Sequence, residues 1–285
     1  MTTTMTRKKK KEKKQPTKRR GRRTAATSDK HELYEQSVQN PEAEGDFIDQ
    51  VWKERRRRQA RHIREDFCGT AISSVEWVKR RKTNTAVAVD IDGDVLAWAR
   101  ARLPERLDDE QRTRLTLRQA DVHTVRTDPV DSVLAMNFSY YLFKTREALG
   151  HYFRRVHHAL VDDGIFLLDA YGGSDAFTEM TEKRRVSGFT YIWDQAVYNP
   201  VTGDALNHIH YRFPDGSELK KAFTYDWRLW TLPEIQELLL EAGFREVTVY
   251  WEGTDEETGE GNDEFTPTRR GEACEGWIAY LVAEK

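Results

Sequence analysis

The sequence predicts an α/β fold: a mostly parallel, seven-stranded sheet with helices on both faces, interrupted by a three-stranded antiparallel insertion. Two observations predict it. From residue 62 onward, short apolar runs alternate with segments of helical period, as in a parallel sheet buried on both faces. Residues 186–228 then break that rhythm with alternating strand-like stretches and two reversal signals.

The elements follow in order. Residues 29–60 read as helical: His31-Glu32-Leu33-Tyr34 leads into Val38, and Phe47, Ile48, Val51 and Trp52 recur at helical spacing. A strand ends near Phe67, and a helix over 71–81 carries Ile72, Val75, Trp77 and Val78. Ala86 to Asp90 is a short apolar strand ending in an acid, followed by a helix with Val95, Leu96, Trp98 and Ala99. Strands are expected at Leu115–Gln119, Ser132–Asn137 and Ile165–Asp169, the last preceded by a helix from Arg146 to Leu160 and a glycine stop at Gly164. The insertion turns at Asn199-Pro200-Val201-Thr202-Gly203 and at Pro214-Asp215-Gly216-Ser217, both with reversal chemistry. Alternation puts Phe189, Tyr191 and Trp193 on one face of its first strand, and Phe223, Tyr225 and Trp227 on one face of its last. A helix over Leu232–Ala242, a strand over Val247–Trp251, an acidic loop and a strand over Ile278–Ala283 complete the series.

Charge divides the chain. Residues 1–23 hold twelve Lys or Arg against one acid, Glu12, a charge of +11; the rest hold 34 basic and 47 acidic residues, a charge of −13. An arm this basic and this poor in apolar residues has nothing with which to build a core, so residues 1–28 are expected to be disordered. Two readings stand for it: a docking arm for RNA, ribosome or another polyanion, or a solubilising tail. No apolar run reaches the ~20 residues needed to span a bilayer, and no apolar segment of a secretory signal follows the basic start. The two cysteines, Cys68 and Cys274, form no framework or zinc pattern, as expected of a cytoplasmic protein without a metal site.

The chemistry-bearing stretch is Glu65-Asp66-Phe67-Cys68-Gly69-Thr70-Ala71, a strand running into a helix. Gly69 lets a ligand approach the backbone, and the free N–H groups of the following helix suit a carboxylate. Asp90, twenty-one residues after Gly69, ends the next strand, where an acid can accept from both hydroxyls of a ribose. Asp121 follows the third strand and Asn137 ends the fourth.

In this order and spacing, residues from about 62 to 283 resemble a class I S-adenosylmethionine (SAM)-dependent methyltransferase, whose fold is Rossmann-like. Cys68-Gly69-Thr70 matches the middle of the family's first glycine motif. Glu65 is the best match to its acid, with Asp66 the rival. The resemblance implies that Glu65, Cys68, Gly69, Thr70, Asp90, Ile91, Asp121, Val122 and Asn137 bind SAM. It implies that residues 29–61 form a lid bringing Tyr34 or Gln39 to the methyl group, with Tyr140, Tyr141 and Tyr171 toward the acceptor. Tyr34 packing on a sheet edge is the alternative. The sequence departs from the motif where Phe67 and Ala71 replace its first and last glycines. One glycine does not suit a dinucleotide pyrophosphate, which needs several close backbone approaches.

Because SAM carries an activated methyl, no general base is obligatory. Asn137-Phe138-Ser139-Tyr140 lacks both prolines of the Asn-Pro-Pro-Tyr of nucleic-acid amino-methylases. His208 and His210 share a strand face with Arg212 and read as polar surface. The absence of Pro-Cys on the fourth strand argues against a cysteine-dependent pyrimidine methylase. Three functions follow: a small-molecule methyltransferase with the insertion as acceptor pocket, an RNA or ribosomal-protein methyltransferase docked by the arm, and a non-catalytic SAM- or nucleotide-binding protein. The acidic stretch Asp255-Glu256-Glu257 to Asp263-Glu264, expected at the ligand face, favours a neutral or cationic acceptor.

Overall fold

A computed structural model describes residues 23–255 and 261–285; most of the basic arm and the centre of the acidic loop lie outside them. The chain begins with helices α1 (Lys30–Ser37) and α2 (Pro41–Arg56). The expected single helical stretch is divided because Asn40 caps α2, accepting from the Ala43 N–H, and Pro41 takes its first turn, where no amide proton is needed. Next come β1 (His62–Asp66), α3 (Ile72–Arg80), β2 (Thr85–Asp90), α4 (Gly93–Arg106), α5 (Asp109–Thr113), β3 (Leu115–Gln119), β4 (Val130–Ala135), α6 (Arg146–Ala159) and β5 (Leu160–Gly172). A four-stranded insertion follows: β6 (Met180–Val186), β7 (Phe189–Tyr198), β8 (Asp204–Arg212) and β9 (Glu218–Arg228). The chain closes with α7 (Leu232–Glu241), β10 (Glu246–Thr254), β11 (Gly261–Thr268) and β12 (Trp277–Glu284).

The main sheet has the order β11-β10-β12-β5-β4-β1-β2-β3. Strands β3, β2, β1, β4 and β5 are parallel; β12, β10 and β11 are each antiparallel to the preceding neighbour. The order reverses between β1 and β4, and ligands of open α/β sheets bind in the crevice outside such a point.

Two counts differ from expectation. The main sheet has eight strands because the acidic loop contributes β11, and the insertion has four because it begins at Met180. Both added strands are edges. Their sequences, Gly261-Asn262-Asp263-Glu264 and Thr181-Glu182-Lys183-Arg184-Arg185, are charged and mostly exposed. Charge blunts an edge against wrong pairing and removes the apolar alternation that would announce a strand.

Alternate residues of β5 enter opposite cores. Ile165 and Leu167 join Trp52, Val75 and Trp77 beneath α2 and α3. Phe166 and Leu168 join Phe153, Val156, Ile235 and Leu239 beneath α6 and α7. A third core, of Leu33, Phe189, Ile209, Tyr211 and Phe213, seats α1 on the insertion. The other side of α1 is held to α4 by Trp98 Nε1 donating to Asp29 Oδ2 (2.7 Å) and by a two-bonded Arg106–Glu35 pair at 2.8 Å. The segment expected as a lid therefore bridges the insertion to the main domain. Contacts with the insertion already begin before residue 29: the Ala25 N–H donates to Ser217 Oγ at 2.9 Å, and the Arg23 guanidinium lies over the Phe189 ring. No helix among the described residues is long and apolar enough to cross a membrane.

Candidate active site

The loop after β1 keeps a glycine-type backbone with a single glycine. Phe67, Gly69 and Ala71 all have φ between 51° and 57°. The left-handed region costs a non-glycine residue about 1–2 kcal/mol, so the surroundings must hold it. The Cys68 N–H donates to Val89 O (3.0 Å), the Gly69 N–H donates to Asp90 Oδ2 (2.7 Å), and the Phe67 ring packs on Tyr152 and Phe143. A Cβ at Gly69 would meet nothing within 4 Å, so this backbone faces open space. Asp90 also accepts from the Asp92 N–H (2.9 Å), and the Ala120 N–H donates to Asp90 O, drawing the end of β3 to the same place.

Around this loop stand four acids from separate elements: Glu44 on α2, Glu65 on β1, Asp90 on β2 and Asp169 on β5. Burial raises the pKa of each. Glu44 and Asp169 are pushed up to about 7 and Glu65 to about 8, the latter two helped by the Glu44 charge. Asp90 is raised above its ordinary value by burial and by Asp92. No salt bridge among the described residues reaches any of the four; the nearby Arg64 is paired instead with Asp66 at 2.9 Å, which also accepts from the Tyr152 hydroxyl. The two rivals for the motif acid have different surroundings. Asp66 is neutralised in the core, whereas Glu65 accepts from the Ser74 N–H (2.9 Å) and hydroxyl in the first turns of α3. Two buried oxygens here, Glu44 Oε2 and Thr70 Oγ1, have no hydrogen-bond partner among the described residues, and neither does Gln39 Oε1 in the turn between α1 and α2.

The other residues expected at the cofactor sit as follows. Ile91, 68% exposed, lies beside Asp90 at the mouth of the crevice. Asp121 is exposed and accepts from the His123 N–H (2.8 Å), while Val122 is buried beneath it. Cys68 is buried, and burial holds its thiol well above the ordinary range, so it is no thiolate nucleophile. Asn137 and Phe138 are consecutive left-handed residues, φ 59° and 57°, and both amides donate to the Asp169 carboxylate at 2.7 and 2.8 Å. The sequence reading missed Asp169 and Glu44. Asp169 directly follows the apolar run Ile165–Leu168, as Asp90 follows Ala86–Val89, a usable signal although β5 continues to Gly172; Glu44 sits among other helical acids with none.

Beyond Asn137 and Phe138 opens a cavity of about 430 Å³ between β5 and the insertion. Trp193, Tyr225 and Trp227 form an aromatic fan, with adjacent centroids 4.5–6.1 Å apart. Tyr34 closes one side, packing on Phe223 at 4.9 Å, so it packs on the sheet and lines the cavity at once. Tyr171 lines the cavity too. Tyr140 and Tyr141 do not: both are fully buried, their hydroxyls donating to Asp169 O and Trp230 O. Asp175, Glu182 and Glu252 supply carboxylates, and Arg184 the single guanidinium, which donates to Ser37 O and lies over Tyr191. Because β10 runs in the same direction as β5, its end carries Glu252 to the ligand side of the sheet. His210 is occupied elsewhere, bonded to Asp194 (3.2 Å) and to the Lys221 N–H.

Solved structures resemble this fold over most of the chain. An S-adenosylmethionine-dependent methyltransferase from Clostridium acetobutylicum matches with a TM-score of 0.64 at 14% identity, over 89% of this chain and 96% of that one. The sugar N-methyltransferase KedS8 from Streptoalloteichus matches at 0.61 and 18%, over 90% and 93%. SAM-bound CalS10, an amino pentose methyltransferase from Micromonospora echinaspora, matches at 0.63 and 16%, over 89% and 95%. At such identities the likeness defines the fold: the chain has the Rossmann-like α/β fold of these methyltransferases, with an antiparallel insertion. No protein-family model matches the sequence, nor does any curated protein sequence.

Proposed function

We propose that the protein is a SAM-dependent methyltransferase acting on a small molecule that carries a basic amine. The carrying observation is the set of four buried acids, without a basic partner among the described residues, around a loop whose backbone is open at Gly69. Such a place suits a cation, since buried charges need partners, and SAM brings both a sulfonium and an ammonium. Asp90 would hold the ribose hydroxyls, Glu65 and Glu44 the amino end, Ile91 and Asp121 the adenine. Bound there, SAM would supply a methyl group already activated by sulfur, and its transfer to the acceptor nitrogen would leave S-adenosylhomocysteine and release one proton.

The chain's own task is then orientation and exclusion of water. The strained Asn137–Phe138 turn, fixed by Asp169, forms the boundary between the two halves of the site. The aromatic fan and the carboxylates of Asp175, Glu182 and Glu252 suit an amine cation, and burial raises the pKa of Glu252, making it a better proton acceptor than an ordinary glutamate. The names of the similar structures support the amine, two of them being a sugar N-methyltransferase and an amino pentose methyltransferase. Calorimetry tests the reading: SAM and S-adenosylhomocysteine should bind, and NAD should not. Tight NAD binding without SAM binding would refute it.

A further inference from the structure

The acceptor cavity carries charge of both signs, and β6 sets the two signs in order. Glu182 and Arg184 both line the cavity. Two residues apart on one strand, they share a face and lie about 7 Å apart along it. The antiparallel register places Glu182 opposite Trp193 and Arg184 opposite Tyr191. Trp193 belongs to the aromatic fan, whose Trp227 meets the Phe138 ring with centroids 6.4 Å apart. Tyr191 is one step farther along β7, where the cavity reaches the end of α1.

Neither charge is spent on the other. Among the described residues no ion pair reaches Glu182 or Arg184. The Arg184 guanidinium donates to Ser37 O, the last residue of α1, and rests over the Tyr191 ring at 5.4 Å from its centroid. A guanidinium has five N–H donors in a planar fork, so one anchored in this way keeps donors for a ligand. Its geometry matches a carboxylate or a phosphate. Charge decides between them. The single guanidinium shares the cavity with the carboxylates of Asp175, Glu182 and Glu252. A phosphomonoester carries about −1.5 to −2 charges at neutral pH, more than one guanidinium answers, whereas a carboxylate carries one.

We propose that the acceptor is an amino carboxylate, with its ammonium on the aromatic fan beside Glu182 and its carboxylate on the Arg184 guanidinium at the α1 end of the cavity. This rests on the methyltransferase reading above for the fate of the amine. The carboxylate is the added element: it fixes which way round the molecule lies and holds its amine toward the Asn137–Phe138 turn.

The test compares matched pairs on the full-length protein: β-alanine with ethylamine, γ-aminobutyrate with propylamine, and ε-aminocaproate with pentylamine. Each acid differs from its amine by the carboxylate alone. Binding is read by calorimetry and methylation by transfer of labelled methyl from SAM. The two longer acids, whose ends best span the step from Glu182 to Arg184, should exceed their amines about tenfold in affinity and in kcat/KM. That ratio should shrink as salt rises. Arg184→Gln should bring it close to one, and Arg184→Lys should keep part of it. Charge that only protects the edge of β6 confers no such preference. Equal binding within all three pairs, absence of binding included, would overturn the inference and leave the methyltransferase reading intact. A preference that survives Arg184→Gln would overturn it too, as would tighter binding of phosphoethanolamine than of any of the acids. A carboxylate preference in binding that Arg184→Gln removes, with no amine methylated, would uphold the carboxylate site and retire the amine as methyl acceptor.

Discussion

The two halves of the site are built from different materials. The half around Gly69 is made by backbone: left-handed turns, amides held by carboxylates, and strand ends brought together by the sheet order. The half around Trp193 is made by side chains drawn from α1, β5, the insertion, β10 and β12. A backbone site tolerates changes of side chain if the dihedral angles survive, as Phe67 and Ala71 show. A side-chain site changes its ligand with every substitution. Mutations should therefore separate the two halves.

The largest effect is expected at Asp90. Its carboxylate both fixes the Gly69 amide and, in the proposed complex, receives the ribose hydroxyls. Hydrogen bonds to a charged group contribute roughly 1.5–3 kcal/mol each. Asp90→Ala should therefore weaken SAM binding by about tenfold to a hundredfold in calorimetry. The variant should still bind amines in the second half with little change. Loss of both together would show that the halves are one unit.

Next in size is a pH effect confined to the first half. Glu44, Glu65 and Asp169 have folded pKa values raised to about 7–8, against roughly 4 in an unfolded chain. A cation bound among them favours the ionised forms, so binding releases protons. SAM affinity should rise by about tenfold between pH 6 and pH 8, and Glu44→Gln should reduce the slope. The ligand-free protein should respond in the opposite sense. Raised carboxyl pKa values contribute stability that is complete below the unfolded pKa and is lost as pH climbs through the folded one. Its melting temperature should therefore fall from pH 6 to pH 8.5, and less so in Glu44→Gln.

Much of the first half could be read in the sequence, and little of the second. Gly69, Asp90 and Asp121 announce themselves because strand-end loops are local and ordered along the chain. Asp169 follows its apolar run in the same way and was legible in principle. The aromatic alternation of β7 and β9 was also legible, but not its destination, because Tyr34, Glu252 and Trp277 reach the same cavity from distant segments. Edge strands β6 and β11 were hidden by the charge that protects them. Tyr140 and Tyr141, which the resemblance places toward the acceptor, turn inward to occupy carbonyls of the core.

A smaller effect is expected from the aromatic fan. Trp193→Ala removes one face of the box while leaving Trp227 buried behind it. Cation–π contacts contribute about 0.5–2 kcal/mol, so the KM for an amine acceptor should rise about three- to thirtyfold. SAM affinity should not move. A parallel loss of SAM affinity would place the fan in the cofactor half and undo the division.

The smallest effect is expected at Ala71, and it is the sharpest test of the idea that backbone carries the first half. Replacing Ala71 by glycine removes left-handed strain of about 1–2 kcal/mol. Against that, glycine loses about 0.5–1 kcal/mol more conformational entropy on folding, and the buried methyl, fully enclosed in the native loop, gives up about 0.8 kcal/mol of transfer energy. These terms nearly cancel. Ala71→Gly should leave both the melting temperature and SAM affinity almost unchanged. Phe67→Gly relieves the same strain but removes a ring packed on Tyr152 and Phe143, and large aromatic truncations cost about 3–5 kcal/mol. It should therefore destabilise the protein by roughly 2 kcal/mol or more. The contrast explains how the loop departs from a glycine motif at two positions. One replacement is small enough to be neutral, and the other is compensated by the aromatic contacts of its own ring.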